Sequence, residues 1–147
     1  MTVTVPERPS VVRTAARMLL GGALGFAGTS HLTFSRDEFR AQVPDWFPID
    51  HDLVVLASGV VEILLGAALL SGRRRHLVGW IVAAFFVVIF PGNVAQYLEG
   101  TDAFGLDTYR KRLVRLFFQP VLVAWALWST GAWRAWRDER AGARHEP

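Results

Sequence analysis

Residues 53–70, LVVLASGVVEILLGAALL, decide how this chain is read. These eighteen residues carry one charge, Glu62, close to the middle. At a rise of ~1.5 Å per residue, eighteen helical residues cover ~27 Å, near the hydrocarbon thickness of a bilayer. An ionisable residue at that depth costs ~2.5–3.5 kcal/mol on insertion scales, so it faces the protein interior and has partners there. Which residues reach Glu62 organises the reading of everything else.

The surrounding composition agrees with a membrane setting. The chain is 52% hydrophobic, with six Trp and ten Phe, and its charges lie between apolar runs rather than within them. Such segregation belongs to a multi-span membrane protein. The net charge of +3 comes from 15 Arg and Lys111 against 13 acids. Those cations stand at the ends of apolar segments, where they snorkel to headgroups, and form no basic face of the kind nucleic acid requires. There are no cysteines, which excludes disulfides and Cys-ligated metals from this chain.

Taken in order, residues 1–10 are a short polar tail with Pro6 and Pro9. Residues 11–34 hold the first apolar segment, with Arg13 and Arg17 at its start. It reads as a retained transmembrane helix. The alternative is a cleaved signal peptide, against which stand the long lead and the poor cleavage match of Gly28-Thr29-Ser30-His31. Gly21 and Gly25 form a G-x-x-x-G, a spacing that lets two helices approach closely and allows a homodimer through these residues. Residues 35–52 alternate charges with Phe39, Val43, Trp46 and Phe47, which predicts a short amphipathic helix over 36–42 and then an extended segment held by Pro44 and Pro48. After the second helix, Arg73, Arg74, Arg75 and His76 make a basic turn. A third helix over 77–97 is expected to be interrupted at Pro91-Gly92, and a fourth over 113–133 contains Pro120. Residues 134–147 read as a charged tail, so the domain is 11–133. Trp125, Trp128, Trp133 and Trp136 have the placing of an interfacial belt. The fold class is all-α: a four-helix transmembrane bundle with an amphipathic segment between its first two helices.

Basic residues set the orientation. With the amino terminus cytoplasmic, ten arginines (Arg8, Arg13, Arg17, Arg73, Arg74, Arg75, Arg134, Arg137, Arg140, Arg144) lie inside. Six cations (Arg36, Arg40, Arg110, Lys111, Arg112, Arg115) lie outside. The excess predicts a multi-pass protein of the cell membrane with both termini cytoplasmic.

In that orientation His31, Glu62, Asn93, Gln96 and Gln119 all fall in the outer half of the spans. Ser58, Glu62 and Gly66 share one stripe of the second helix, and Asn93 and Gln96 one face of the third. These positions predict a polar pocket opening outward, lined by His31, Ser58, Glu62, Asn93, Gln96 and Gln119 and roofed by residues 44–52. The bland alternative makes Glu62 interhelical glue, but such bonds average only ~0.6 kcal/mol, little return for burying an acid. His51 and His76 lie in connections among charged neighbours and read as solvated. The spacings support neither a bis-His haem nor a zinc site. No phosphate loop and no Ser-His-Asp arrangement is visible, so no catalytic residue is assigned.

The ordered set resembles the DoxX family of small integral membrane proteins. It comprises Gly28-Thr29-Ser30-His31-Leu32, Val43-Pro44, Phe47-Pro48, Ser58-Gly59 with Glu62 and Gly66, Leu69-Leu70, the Arg73-Arg74-Arg75 turn, Phe90-Pro91-Gly92-Asn93, Arg112-Leu113, Gln119 and Trp125-Ala126. Gly92 departs from a pattern nearer Phe-Pro-Ala-Asn. The resemblance implies a four-helix membrane protein; the family's name comes from subunits of a quinone-linked thiosulfate-oxidising system, and the outward pocket is compatible with a quinone headgroup as with many other lipophilic ligands. In this reading Glu62 and His31 exchange protons while Asn93, Gln96 and Gln119 hydrogen-bond carbonyl or hydroxyl groups of a lipophilic or quinone-like molecule. Two other functions fit the same residues: an accessory subunit of a membrane oxidoreductase complex, and a small dimeric transporter.

Overall fold

The computed structural model describes residues 10–143. The tail expected at 1–10 therefore lies outside the described residues apart from Ser10, as do the last four residues of the chain. Among the described residues all regular structure is helical. The order is α1 (Val11–Leu32), α2 (Arg36–Arg40), α3 (His51–Ser71), α4 (Arg75–Glu99), α5 (Tyr109–Thr130) and α6 (Ala132–Gly142).

Local chemistry sets these boundaries. The first amides of a helix lack intrahelical acceptors, and a short polar side chain just before the helix supplies one. Asp50 accepts from Leu53 N at 3.0 Å, which starts α3 two residues before its apolar run. Thr108 accepts from Lys111 N at 3.3 Å and starts α5 four residues before the expected 113. Gly72, Gly100 and Gly131 close α3, α4 and α5 with φ of 66°, 70° and 74°, a region that a β-carbon disfavours. Gly131 has a second consequence. The chain turns there, and α6 runs through residues that read as a charged tail. The expected interruption at Pro91 does not occur either. Pro91 has no N–H for the Val87 carbonyl, yet α4 continues through it for eight residues to Glu99.

Among the described residues three helices are long and apolar enough to cross a membrane: α3, α4 and α5. Only 28%, 22% and 22% of their apolar windows are buried within the protein. Much of the remainder, including Leu64, Val88 and Phe117, faces outward. In water that would be far more exposed apolar surface than a soluble domain tolerates; in lipid it is the required surface. The chain is a membrane protein. Helix α1 has 22 residues but falls short of the other three in hydropathy, because Arg13, Arg17, His31 and four glycines dilute its leucines.

Helix α1 packs along α3 and α4 along α5, with lesser contacts joining α1 to α5 and α3 to α4. Leu20, Leu24, Leu69, Val82, Ala83, Phe86 and Ala126 form the apolar core where the four meet. We call the end carrying α2 and the 100–108 connection distal, and the end carrying the 72–74 turn and α6 basal. At the basal end Arg17 donates to the Leu69 carbonyl, and Trp125 Nε1 donates to Ala16 O at 3.0 Å. Helix α6 lies against α4 and α5, with Trp80 and Trp136 in edge contact at 6.4 Å. Gly79 makes this joint possible, since a β-carbon there would overlap the buried Thr130 hydroxyl. Gly79→Val is expected to lower the melting temperature in detergent by roughly 3–10 °C, as overpacking costs ~1–3 kcal/mol. An unchanged thermal-denaturation midpoint would show that α6 can pack elsewhere.

Candidate functional site

Two helix faces made of small residues create the site. On α3 the buried positions Val55, Gly59, Glu62, Gly66 and Leu69 recur every three or four residues, one stripe of the helix. On α1 the matching stripe is Gly21, Leu24, Gly28 and His31. The helices run antiparallel, with Gly21 against Gly66 and Gly28 against Gly59. A β-carbon built on Gly28 would lie 2.5 Å from Gly59 O, and one on Gly66 would lie 2.6 Å from Gly21 O. Backbone thus touches backbone on either side of Glu62, which is held in the middle of the seam.

His31 reaches across the distal part of this seam. Its Nδ1 lies 3.1 Å from Ser58 Oγ and 3.8 Å from Glu62 Oε2. The Ser58 hydroxyl donates to Val55 O at 3.0 Å, so its oxygen is left to accept from His31 Nδ1–H. That tautomer puts the lone pair of a neutral ring on Nε2. His31 Nε2 and Glu62 Oε2 are both buried and have no hydrogen-bond partner among the described residues. The two side chains are 6% and 8% exposed, so bulk water does not serve them. A buried polar atom without a partner costs ~1–3 kcal/mol, which makes this pair of open valences the feature most in want of a guest.

Aromatic rings close the distal side. Phe39 of α2 meets the His31 ring edge-on, and Phe104 meets Phe39 at 4.5 Å between centroids. Phe104 N donates to Glu38 at 2.6 Å, which ties the 100–108 connection to α2. The cover over His31 therefore includes Phe39 and Phe104; in the stretch 44–52, expected as the roof, Pro44 is buried while Trp46 is 68% exposed. On the rim, Arg36 pairs with Asp52, and this bond holds the guanidinium above its ordinary range. Lys111 donates to Asp107 at 2.7 Å and holds that carboxyl below its ordinary range.

The amides form a separate group. Asn93 Nδ2 donates to Gln119 Oε1 at 3.0 Å, and Gln119 Nε2 donates to the Phe86 carbonyl at 2.5 Å, which joins α4 to α5. Gln96, almost fully buried, donates to Thr101 O at 3.3 Å and pins the start of the connection. The six residues expected to bind a ligand are thus divided. His31, Ser58 and Glu62 meet on α1 and α3 with valences open, whereas Asn93 and Gln119 bond to each other and Gln96 to a loop. Sequence reasoning missed Phe104 as a cover, whereas Phe39 was placed on the apolar side of the amphipathic segment. Phe39 had a readable signal, since it is the apolar member of the charged helix α2 that follows α1.

Other features lie apart from this group. Gly21 is engaged against α3 within the chain, while β-carbons on Gly22 and Gly25 would meet nothing within 4 Å. An apolar cavity of about 620 Å³ lies at the basal flank, lined by Arg13, Val87, Pro120, Leu127 and Trp128 among others, and none of the six expected residues lines it. No group of three His, Asp or Glu side chains suited to a metal occurs among the described residues.

A family model described as a domain of unknown function, DUF8561, matches residues 20–130. The match runs from within α1 to the end of α5 and includes the whole α1–α3 seam and the amide pair, leaving α6 outside. No curated protein and no solved structure matches the chain. With about three-quarters of its length under that one model, the chain belongs to the DUF8561 family of domains of unknown function.

Proposed function

We propose that this protein is a DoxX-like integral membrane protein that binds a lipophilic, quinone-like molecule beside Glu62. In this reading α1 crosses the membrane with α3, α4 and α5 as a four-helix bundle, and both termini are cytoplasmic. Support for a fourth span is the length of α1, 22 residues or ~33 Å, and its contact with α3 from Gly21 to His31. Support for the ligand is the pair of unsatisfied buried atoms, His31 Nε2 and Glu62 Oε2. A carbonyl or hydroxyl group reaching either atom would meet a donor or an acceptor according to where the proton sits. Ser58 fixes the ring that presents Nε2, and Phe39 and Phe104 supply aromatic walls. Asn93, Gln96 and Gln119 would then act on the ligand only by exchanging their present partners.

The binding test is thermal. A short-chain quinone added to protein in detergent is expected to raise the melting temperature of wild type but not of Glu62→Gln or His31→Phe. Equal shifts in all three would remove the ligand from this seam. Orientation has its own test, made simple by the absence of cysteine. A membrane-impermeant maleimide applied to intact cells is expected to label Asp102→Cys and to leave Arg73→Cys unlabelled until the membrane is opened. The reverse pattern would invert the topology.

A further inference from the structure

Arg115 is a cation in need of a counter-ion. It is half-buried and sits six residues into α5, on the face that also carries Arg112 one turn before it and Gln119 one turn after it. Among the described residues its guanidinium makes one hydrogen bond, from Nη2 to Gln42 Oε1 at 3.2 Å, and lies 5.6 Å from the Phe104 ring. Among the described residues no carboxylate lies within 4 Å of it. The nearby acids are otherwise engaged: Asp102 accepts from Arg112 Nη1 at 2.8 Å, and Glu38 accepts the Phe104 amide. Two more donors are left over on its neighbours, its partner Gln42 and Arg112 one turn before it. Gln42 Nε2 is buried without a partner, and so is Arg112 Nε, on a side chain only 11% exposed.

A guanidinium in a protein keeps its charge, and an ionisable group inside a membrane protein marks a site unless it is paired. Here the excess is entirely of donors: the remaining N–H groups of Arg115, Arg112 Nε–H and the Gln42 amide. Donors from two guanidiniums and an amide, carried by α5 and by the connection after α2, suit an acceptor with several oxygens. Arginine's fork matches the oxygens of phosphate in pairs. We propose that Arg115, Arg112 and Gln42 form a binding site for a phosphate-type oxyanion at the distal end of α5. The oxyanion is either free phosphate or the phosphodiester of an anionic phospholipid headgroup. Its position one to two turns inside a span is headgroup depth, and free phosphate could enter from the water beyond the 100–108 connection. This site does not depend on the ligand assigned to Glu62.

The test uses the full chain in two settings. In neutral detergent, inorganic phosphate is titrated against chloride at equal ionic strength. In nanodiscs, neutral lipid is compared with the same lipid containing phosphatidylglycerol. At ~100 times its dissociation constant the oxyanion is expected to raise the melting temperature of wild type by roughly 5–10 °C. Arg115→Gln and Gln42→Ala are each expected to weaken that binding at least ~10-fold, the loss of a charge-assisted or otherwise unmet bond. Should Arg115→Gln fail to fold, Gln42→Ala alone decides, since it removes no charge. A shift with inorganic phosphate identifies a free ion, and a shift confined to phosphatidylglycerol identifies a headgroup. No shift in wild type with either probe, or an undiminished shift in Gln42→Ala, overturns the site.

Discussion

Gly28→Ala is expected to lower the melting temperature of the detergent-solubilised protein by roughly 3–10 °C, while Gly22→Ala, one and a half turns away on the same helix, leaves it unchanged or raises it. The two substitutions make the same chemical change. Both replace glycine with a better helix former, a gain of up to ~1 kcal/mol where the new methyl meets nothing. At Gly22 it meets nothing within 4 Å. At Gly28 it would stand 2.5 Å from Gly59 O and 2.9 Å from Ile63 N, which are backbone atoms of α3 and cannot rotate aside. The helices must part, and overpacking of that kind costs ~1–3 kcal/mol, more than the propensity gain. Parting them also widens the distance from His31 to Ser58 and Glu62. Gly28→Leu should therefore lower the yield of folded protein outright. Equal midpoints for Gly22→Ala and Gly28→Ala would mean that α1 and α3 do not touch through these glycines.

The second large effect concerns Glu62 itself. If the carboxyl served only to fasten α1 to α3, removing it would destabilise the protein. Its Oε2 instead has no hydrogen-bond partner among the described residues, and the His31 imidazole nitrogen paired with it is 3.8 Å away, too far for a hydrogen bond. A buried polar group left in that state costs ~1–3 kcal/mol, and a leucine of similar volume carries no such cost. Glu62→Leu is accordingly expected to raise the melting temperature of the ligand-free protein by roughly 3–6 °C, the usual trade of stability against a binding site. A fall of similar size would assign Glu62 to structure.

How much of this was legible follows from what each residue depends on. Glu62 was visible because one acid within an eighteen-residue apolar run is an energetic anomaly wherever the chain folds. The small stripe of α3 was visible because helical spacing fixes which side chains share a face. Gly21 was visible as a close-packing residue, but its partner was not. A G-x-x-x-G permits contact with any helix, and the nearest in this chain proved to be α3. The pocket of six was legible only as a shared depth. Asn93 and Gln119 were correctly placed as inward-facing, yet nothing in their spacing told that each amide would find the other. The covering role of Phe104 depends on a long-range bond to Glu38, 66 residues away, which no local pattern encodes. Arg115 was counted as a rim charge because helix four was expected to begin at 113. The Thr108 cap starts α5 a turn earlier, so Arg115 lies six residues into the helix, half-buried and one turn before the buried Gln119.

The central claim is that the α1–α3 seam shelters an acid and an imidazole whose open valences take up a guest. The most direct measurement is the amount of small molecule carried through purification, determined by mass spectrometry of solvent extracts and expressed per chain. Wild type is expected to carry close to one equivalent of a single lipophilic carbonyl- or hydroxyl-bearing compound, and folded Glu62→Leu less than about a tenth of that, since two polar contacts of this kind are together worth ~10-fold or more in affinity. Equal amounts in both proteins, or none in either, would contradict it.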